Sequence, residues 1–463
     1  LIYLLNDSMT YPRRVVRWRN YAVGTIIFTT LPFFTHGVEA TALSISAHSG
    51  HFNLWSTGDV WRATCMILGA GISAPIYCYV IDRYGRRSGI YFVSLTQAAS
   101  CIPLFLEPST TKLIVLHVLA GISTGGLFTV FPIYIREISD IHLRGVNLSM
   151  MMVMTSAGYL IKMVMDEEGM MFLMVAVIAV QMLAMVVILE TPSFLVMVGK
   201  VEKAKTSIAK LKCLDECHPT VSKELMKLTN ELNRVRVNGK LSFVGILRNT
   251  IYRDITKMGI VLYTVMVICG SIAFLDQEKT LAELKVDWDR EQVLIISCLF
   301  AGSLLTFSVI RIVDRKYLLT LGFVVMVLSM GVLAIHTQAD SSIMTSFLVP
   351  VISLGILIFA YGFCWALPII VMVECLNFEI RATVLGAIYT YSQAIKLAHV
   401  HSYQYIEDYT GLYVILYIFC GINIFGGVYA LFAIPDIKDK SVKQIERQMK
   451  RVPLLRFTKT PVK

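Results

Sequence analysis

The sequence predicts an all-α polytopic membrane protein of about twelve transmembrane helices, arranged as two pseudo-symmetric six-helix bundles with a helical linker between them. Three observations carry that prediction. Of 463 residues, 56% are hydrophobic and 16% charged, and the mean hydropathy is +0.66, which is too apolar for a soluble globular chain. Apolar runs of about 20 residues, the length that crosses a hydrocarbon layer of ~30 Å, recur with short polar breaks between them. An acid-to-arginine pair also recurs at one spacing, Glu137 to Arg144 and Glu374 to Arg381 (144 − 137 = 381 − 374 = 7), so the chain contains an internal repeat.

In order, the first six spans run from Tyr21 to Ser44, Trp61 to Ile81, Ser88 to Leu106, Leu113 to Ile135, Leu148 to Met165 and Met170 to Leu189. The second six run from Lys257 to Leu275, Val293 to Ile310, Leu318 to Ile335, Ser346 to Val373, Ala382 to Tyr403 and Leu412 to Ala433. Between Glu190 and Asp254 hydrophobicity falls and lysines accumulate. Apolar residues there keep helical spacing, as in Val196, Ala204, Ile208 and Leu211, so amphipathic helices are expected. The resulting division is a first bundle over 1–192, a cytoplasmic linker over 193–253, a second bundle over 254–434 and a tail over 435–463.

Positive residues in short loops are retained on the cytoplasmic side. Arg13, Arg14, Arg17 and Arg19 precede the first span, Arg83, Arg86 and Arg87 follow the second, Arg136 and Arg144 follow the fourth, and Arg311, Arg315 and Lys316 follow the eighth. The opposite breaks hold Asp59, Asp166, Glu167, Glu168, Asp276, Asp340 and Glu407. Both termini are therefore expected in the cytoplasm, and an integral protein of the plasma membrane is expected. The net charge of +10 reads as topology, not as a nucleic-acid surface, because the bases are spread over several loops.

The ten cysteines fall in spans or on the cytoplasmic side, which implies no disulfide framework. Cys213, Cys217 and His218 lack a second ligand pair, so no metal or other cofactor is expected. The sequons at Asn6 and Asn147 are expected to stay unmodified on the cytoplasmic side. The chain begins at Leu1 and not at Met, and its first span is expected to insert as its own anchor, without a cleavable leader.

Asp82-Arg83-Tyr84-Gly85-Arg86-Arg87 places fixed positive charges on a tight turn beside helix ends. Glu137, Glu190 and Glu374, each ending a span, are their natural partners. Ion pairs in a half-wet site contribute ~1 to 3 kcal/mol each, large enough to bias one state and small enough to be broken in a cycle. A cytoplasmic gate is the expected role. Asp314-Arg315-Lys316-Tyr317 is a shortened second copy of the loop motif.

As a set, these residues resemble the sugar porter family of the major facilitator superfamily. Phe131 to Glu137 with Arg144-Gly145 resembles its fourth-helix signature, and Asp82 to Arg87 its loop motif. Glu190 to Leu195, Glu374 to Arg381 and Pro435 to Val442 resemble its sixth-helix exit, tenth-helix exit and C-terminal signature. His36-Gly37-Val38 and Thr191-Pro192-Ser193-Phe194-Leu195 are most similar to insect trehalose and hexose facilitators. The resemblance implies alternating access around a midplane site, with a small solute, a sugar, as cargo and no covalent chemistry.

It also implies where cargo contacts lie, and there the chain departs from the family. The fifth-helix glutamine falls at Met152, the seventh-helix amides at Thr264, Val265 and Gly270, and the tenth-helix tryptophan at Ile369. The eleventh-helix pair falls at Ser392 and Gln393, and His117 replaces an arginine. Trp365, one turn before Ile369, restores an aromatic wall, and Tyr159, Tyr389 and Tyr391 offer hydroxyls. Glu39 and Lys162 are charges inside spans, which are functional hypotheses by default. Glu39 stands near the position where proton-coupled relatives keep an aspartate, so proton symport is one alternative to facilitated diffusion. The blander reading pairs Glu39 with Lys162 or wets it from the outer mouth. A non-transporting sugar sensor is the other alternative, favoured by the stripped lining and disfavoured by the intact pairs at Glu137, Arg144, Glu374 and Arg381.

Overall fold

A computed structural model describes residues 25–40, 60–105, 110–186, 188–236, 243–271, 284, 286, 288–338 and 348–449. Those residues form helices and connecting turns. Each of the twelve spans drawn from hydropathy overlaps a described helix. The first six are α1 over 25–40, α2 (Val60–Tyr84), α3 (Arg86–Cys101), α4 (Thr110–Ile138), α5 (Arg144–Val164) and α6 (Glu167–Ala184). Four shorter helices follow: α7 (Pro192–Met197), α8 (Val201–Lys212), α9 (Pro219–Arg236) and α10 (Phe243–Arg248). The second set is α11 (Thr250–Ile268), α12 (Trp288–Val309), α13 (Arg315–Gln338), α14 (Leu348–Trp365), α15 (Leu367–Cys375), α16 (Arg381–Thr410) and α17 (Leu412–Ala433), with α18 (Val442–Met449) in the tail. Among the described residues, five spans are long and apolar enough by themselves to cross a membrane: Ala63–Tyr84, Thr111–Ile138, Arg315–Gln338, Leu348–Cys375 and Leu412–Ala433.

The tenth span, drawn as one run, is two helices that part at Ala366. Pro368 sits in the first turn of α15, where its missing N–H and its ring would otherwise break the ladder. The eleventh span extends past Tyr403 to Thr410 and stops at Gly411, whose φ of 84° ends the helix. The linker helices pack on one another through Ile208, Ala209 and Val221, with Leu225 and Leu228. Leu195, Val196, Ala204 and Leu232 meet Phe378, which ties the linker to the second bundle.

Within each bundle, glycine lets one helix backbone lie on another. A Cβ on Gly125 of α4 would fall 2.5 Å from the Ala70 carbonyl oxygen of α2, and one on Gly362 of α14 would fall 2.4 Å from the Leu299 carbonyl oxygen of α12. The two contacts occupy equivalent places in the repeat, because each glycine precedes its carboxylate by the same interval (137 − 125 = 374 − 362 = 12). Lipid offers no hydrophobic drive for helices to associate, so close backbone approach of this kind supplies the packing. Between bundles, α2 lies along α16 and α5 along α12. There the helices meet through hydroxyls and small residues: Thr390 donates to the Gly71 carbonyl at 3.0 Å, and Ser156 and Ser303 share a buried bond at 2.7 Å.

Gly362→Val is expected to lower the thermal midpoint of the detergent-solubilised protein by several degrees, since overpacking costs ~1 to 3 kcal/mol. Gly331→Ala in α13, whose Cβ would meet nothing within 4 Å, is expected to leave the midpoint unchanged or slightly raised. Equal behaviour of the two variants in a melting experiment would remove the packing role assigned to Gly362.

Candidate functional site

At the arginine-rich end of the bundles, the last turn of α4 carries Glu137 into a fully buried position. Arg86, at the start of α3, points Nε at its Oε2 (3.2 Å) and Nη2 at its Oε1 (3.3 Å). Arg381, at the start of α16 in the other bundle, reaches Oε1 with Nη1 at 3.3 Å. The Thr191 hydroxyl donates to Oε2 at 2.6 Å. One carboxylate thus joins both bundles and the head of the linker. Both arginines are wholly buried, and each turns further donors to backbone carbonyls, although Arg86 Nε makes no well-formed hydrogen bond. Arg86 donates to the Ile81 carbonyl (3.1 Å) and approaches Asp82 Oδ1 (3.4 Å), with its guanidinium 5.2 Å from the Phe194 ring. Arg381 donates to the Val373 and Leu376 carbonyls at 3.1 and 2.7 Å.

Glu190 acts differently from Glu137. Its Oε1 accepts the Arg86 and Thr191 backbone N–H groups at 2.9 and 3.0 Å, and its Oε2 accepts that of Arg87 at 3.2 Å. It therefore caps the N-terminus of α3, where unpaired N–H groups and the helix dipole favour an anion. Gly85, with φ 108°, makes room for it: a Cβ there would lie 2.2 Å from Glu190 Oε2. Partial burial raises the Glu190 carboxyl above the ordinary range, opposed by the N–H groups of Thr191, Arg86 and Arg87.

The second copy of the arrangement is internal to its bundle. Arg315 Nη2 meets Glu374 Oε1 at 3.0 Å, and Nη1 turns back to the Ile310 carbonyl at 3.5 Å, as Arg86 turns back to Ile81. Arg144 donates Nε to the Ser139 carbonyl at 3.4 Å and forms no ion pair among the described residues. Asp314 Oδ1 is buried without a hydrogen-bond partner. Arg83 and Arg87 sit in the same motif, yet their guanidiniums turn outward onto tyrosines. Arg83 donates to Tyr79 Oη at 2.6 Å and Arg87 to Tyr91 Oη at 2.6 Å. Lys316 pairs with Asp436 at the root of the tail, and that bond holds the Asp436 carboxyl below its usual range.

Above this layer, aromatic stacks cross between bundles. Tyr159 of α5 lies parallel to Trp365 of α14 with ring centres 6.1 Å apart, and Tyr361 stacks on the same tryptophan at 5.9 Å. Phe128 of α4 stacks on Tyr389 of α16 at 5.8 Å. The other residues that the sequence placed in the lining are distributed. Met152 and Ile369 are buried, Ser392 bonds its own helix through the Tyr389 carbonyl, and Gln393 lies against Gly71 of α2. Gly270 faces Phe419 and Met330, and Thr264 bonds Tyr391 at 3.0 Å on the outer side of α16. Glu39 in α1 is 2% exposed; neither oxygen makes a well-formed hydrogen bond, although the Ser100 hydroxyl stands beside the carboxyl. Beside it on α1, buried His36 meets the Thr124 hydroxyl at 3.3 Å and the edge of Phe128. His117 bonds the Leu113 carbonyl through Nδ1 at 2.6 Å.

A family model described as sugar (and other) transporter matches residues 30–449. The chain belongs to that family. Among characterised members of similar sequence, a galactose-proton symporter of Escherichia coli is 22% identical over 91% of this chain and 92% of its own. An arabinose-proton symporter of Bacillus subtilis is 24% identical over 82% and 83%, and a D-xylose transporter of Levilactobacillus brevis 21% identical over 76% and 77%. Among solved structures, a proton:xylose symporter of the major facilitator superfamily with a bound bromodeoxyglucose superposes with a TM-score of 0.75 at 15% identity, covering 93% of this chain and 99% of that one. The inward-open form of the xylose transporter gives 0.64 at 14% identity, covering 92% and 99%. The fold is the major facilitator fold.

In this sugar transporter family member, three contributions escaped sequence reasoning. Thr191 was visible only as part of a motif, Phe128 as one more apolar residue of a span, and Ser303 not at all. A hydroxyl at a helix N-cap, two residues after the end of an apolar run, is the signal that marks Thr191. Glu137→Gln should leave Arg86 and Arg381 buried without a counter-charge. The arginine-rich end is then expected to open, with labelling of a cysteine at Ser303 from that side rising about tenfold, since such a pair holds ~1 to 3 kcal/mol. Unchanged labelling would mean that Glu137 does not hold the bundles together.

Proposed function

We propose that the chain carries a sugar, a hexose or a disaccharide such as trehalose, across the plasma membrane by facilitated diffusion with alternating access. The observation that carries this reading is the shared carboxylate of Glu137, gripped by an arginine from each bundle. A protein that cycles needs a contact of this strength at one end, closed in one state and broken in the other. The reading assigns Glu137, Arg86 and Arg381 to the cytoplasmic gate, with Asp82, Arg83, Arg87, Arg144, Glu190, Asp314, Arg315 and Glu374 around them. It takes 1–192 and 254–434 as the rocking bundles, 193–253 as a linker on the cytoplasmic side with both termini, and 435–463 as the tail. Tyr159, Trp365 and Ile369, with Met152, Gly270, Ser392 and Gln393, form the solute path; Thr264, placed there by the sequence, turns instead to Tyr391 on the outer side of α16. The family is one of transporters and not enzymes.

The placement near insect trehalose and hexose facilitators rests on His36-Gly37-Val38 and on Thr191 to Leu195. Proton symport is the second reading, and one observation favours it: a buried carboxylate at Glu39 without a well-formed hydrogen bond. The relatives named as proton symporters carry galactose and arabinose.

Purified protein in liposomes separates these readings. Facilitated diffusion is expected to equilibrate labelled trehalose or glucose without accumulation, at a rate unchanged by a proton gradient. Gradient-driven accumulation that Glu39→Gln abolishes, with exchange intact, would replace it by symport. Binding of a sugar without movement of any in a broad panel would replace both by a sensor.

A further inference from the structure

On the outer flank of the second bundle, α11, α16 and α17 enclose a cavity of about 520 Å³. Its walls are apolar, with Ile260 and Ile268 of α11 and Phe425 of α17, and the Thr264–Tyr391 pair is its polar feature. Gly421 leaves the α17 wall flat: a Cβ there would meet nothing within 4 Å. The cavity is separate from the aromatic stacks between the bundles. Tyr389 of α16 faces Phe128 of α4, whereas Tyr391, two residues on, faces α11. The α17 side faces lipid, since Ile418, Ile424, Phe425 and Val428 are about half exposed on an apolar spanning helix.

Proton accounting at the polar pair shows what is missing. Thr264 has one hydroxyl proton, and it is given to the Ile260 carbonyl at 2.8 Å. With that proton on Ile260, the 3.0 Å contact with Tyr391 is donated by the tyrosine, whose oxygen keeps its acceptor capacity; the opposite orientation of the pair would leave the Tyr391 proton free instead. In the first orientation the cavity offers one hydrogen-bond acceptor and no free donor. Depth narrows the occupant further. Gly421 lies nine residues from Leu412, the first residue of α17 (421 − 412 = 9), which at ~1.5 Å per residue is ~14 Å along the helix. That is close to the middle of a ~30 Å hydrocarbon layer, below the reach of lipid headgroups and of hydroxyls anchored at the interface.

We propose that this cavity is a lateral, mid-membrane binding site for a compact lipophilic alcohol or phenol that donates its hydroxyl to Tyr391. Such a molecule enters from the bilayer, not from the solute path. It lies between α17 and the two helices, α11 and α16, that also border the interior of the protein, so its presence restrains them. The site does not depend on which solute the protein carries.

The test uses the full chain in phosphatidylcholine nanodiscs with a diazirine analogue of thymol as photoprobe. Labelling is expected within 260–268 and 418–425, displaced by thymol and displaced about five- to tenfold less well by thymol methyl ether, which has no proton to donate. Tyr391→Phe should erase that difference between the two competitors, and Gly421→Phe should cut labelling at least fivefold while the protein stays monodisperse. The proposal fails if the two competitors act alike on the unaltered protein, or if label spreads evenly over Val428 and Phe432 on the lipid face. It also fails if cholesterol displaces the probe better than thymol does, because the occupant's hydroxyl would then sit at the interface.

Discussion

The structure depends on a single carboxylate that cannot stand alone. Arg86, Arg381 and the Glu137 side chain are all withdrawn from solvent, and a buried charge costs several kcal/mol unless it is paired and its other hydrogen bonds are met. Every nearby element is placed so as to meet them. The last turn of α2 supplies the Ile81 carbonyl, the end of α15 supplies those of Val373 and Leu376, and the N-cap of α7 supplies the Thr191 hydroxyl. Remove the carboxylate and two arginines lose their reason to be inside.

The repeat in the sequence suggests a symmetric lock, and the structure is less even. Glu137 spans the bundles, whereas Glu374 pairs with Arg315 of its own bundle. Arg144, the repeat equivalent of Arg381, ends on a backbone carbonyl instead. Among the described residues, the buried cross-bundle ion pairing thus rests on Glu137 and Arg381, while Arg144 and Arg136 act on Glu374 only at longer range. The two loop copies differ in ion pairing: Asp82 lies 3.4 Å from Arg86, whereas Asp314 has no basic side chain within ion-pair distance among the described residues.

Hydropathy and the acid-to-arginine spacing made the fold legible, since lipid forces spans to be long, apolar and helical. The gate was legible as a set of charges, but not the partner of each one. Charge alone does not distinguish Arg86, which turns inward to Glu137, from Arg83 and Arg87, which turn outward to tyrosines one helical turn away. Glu190 read as one more carboxylate of the network, yet it faces backbone N–H groups, which no count of side-chain charges includes. The tenth span looked continuous because hydropathy is blind to the missing N–H of Pro368. Residues carried over to the lining scattered most. Thr264 and Gly270 lie on one helix and its end, but a helix presents different faces at each step, and a positive φ at Gly270 turns the chain again.

The two kinds of helix contact have unlike mechanical characters. Inside a bundle, Gly125 and Gly362 let backbones interlock so closely that a methyl group would not fit. Along the seam between bundles, the described helices touch through Gly71, Thr390, Ser156 and Ser303, a Thr64–His401 contact and flat aromatic stacks, which are side-chain contacts and not interlocked backbone. The first contact is a weld and the second a bearing. A seam of such contacts surrenders little when its faces turn past each other, so resistance to rocking is concentrated at the charged end and the body of the seam serves as the axle.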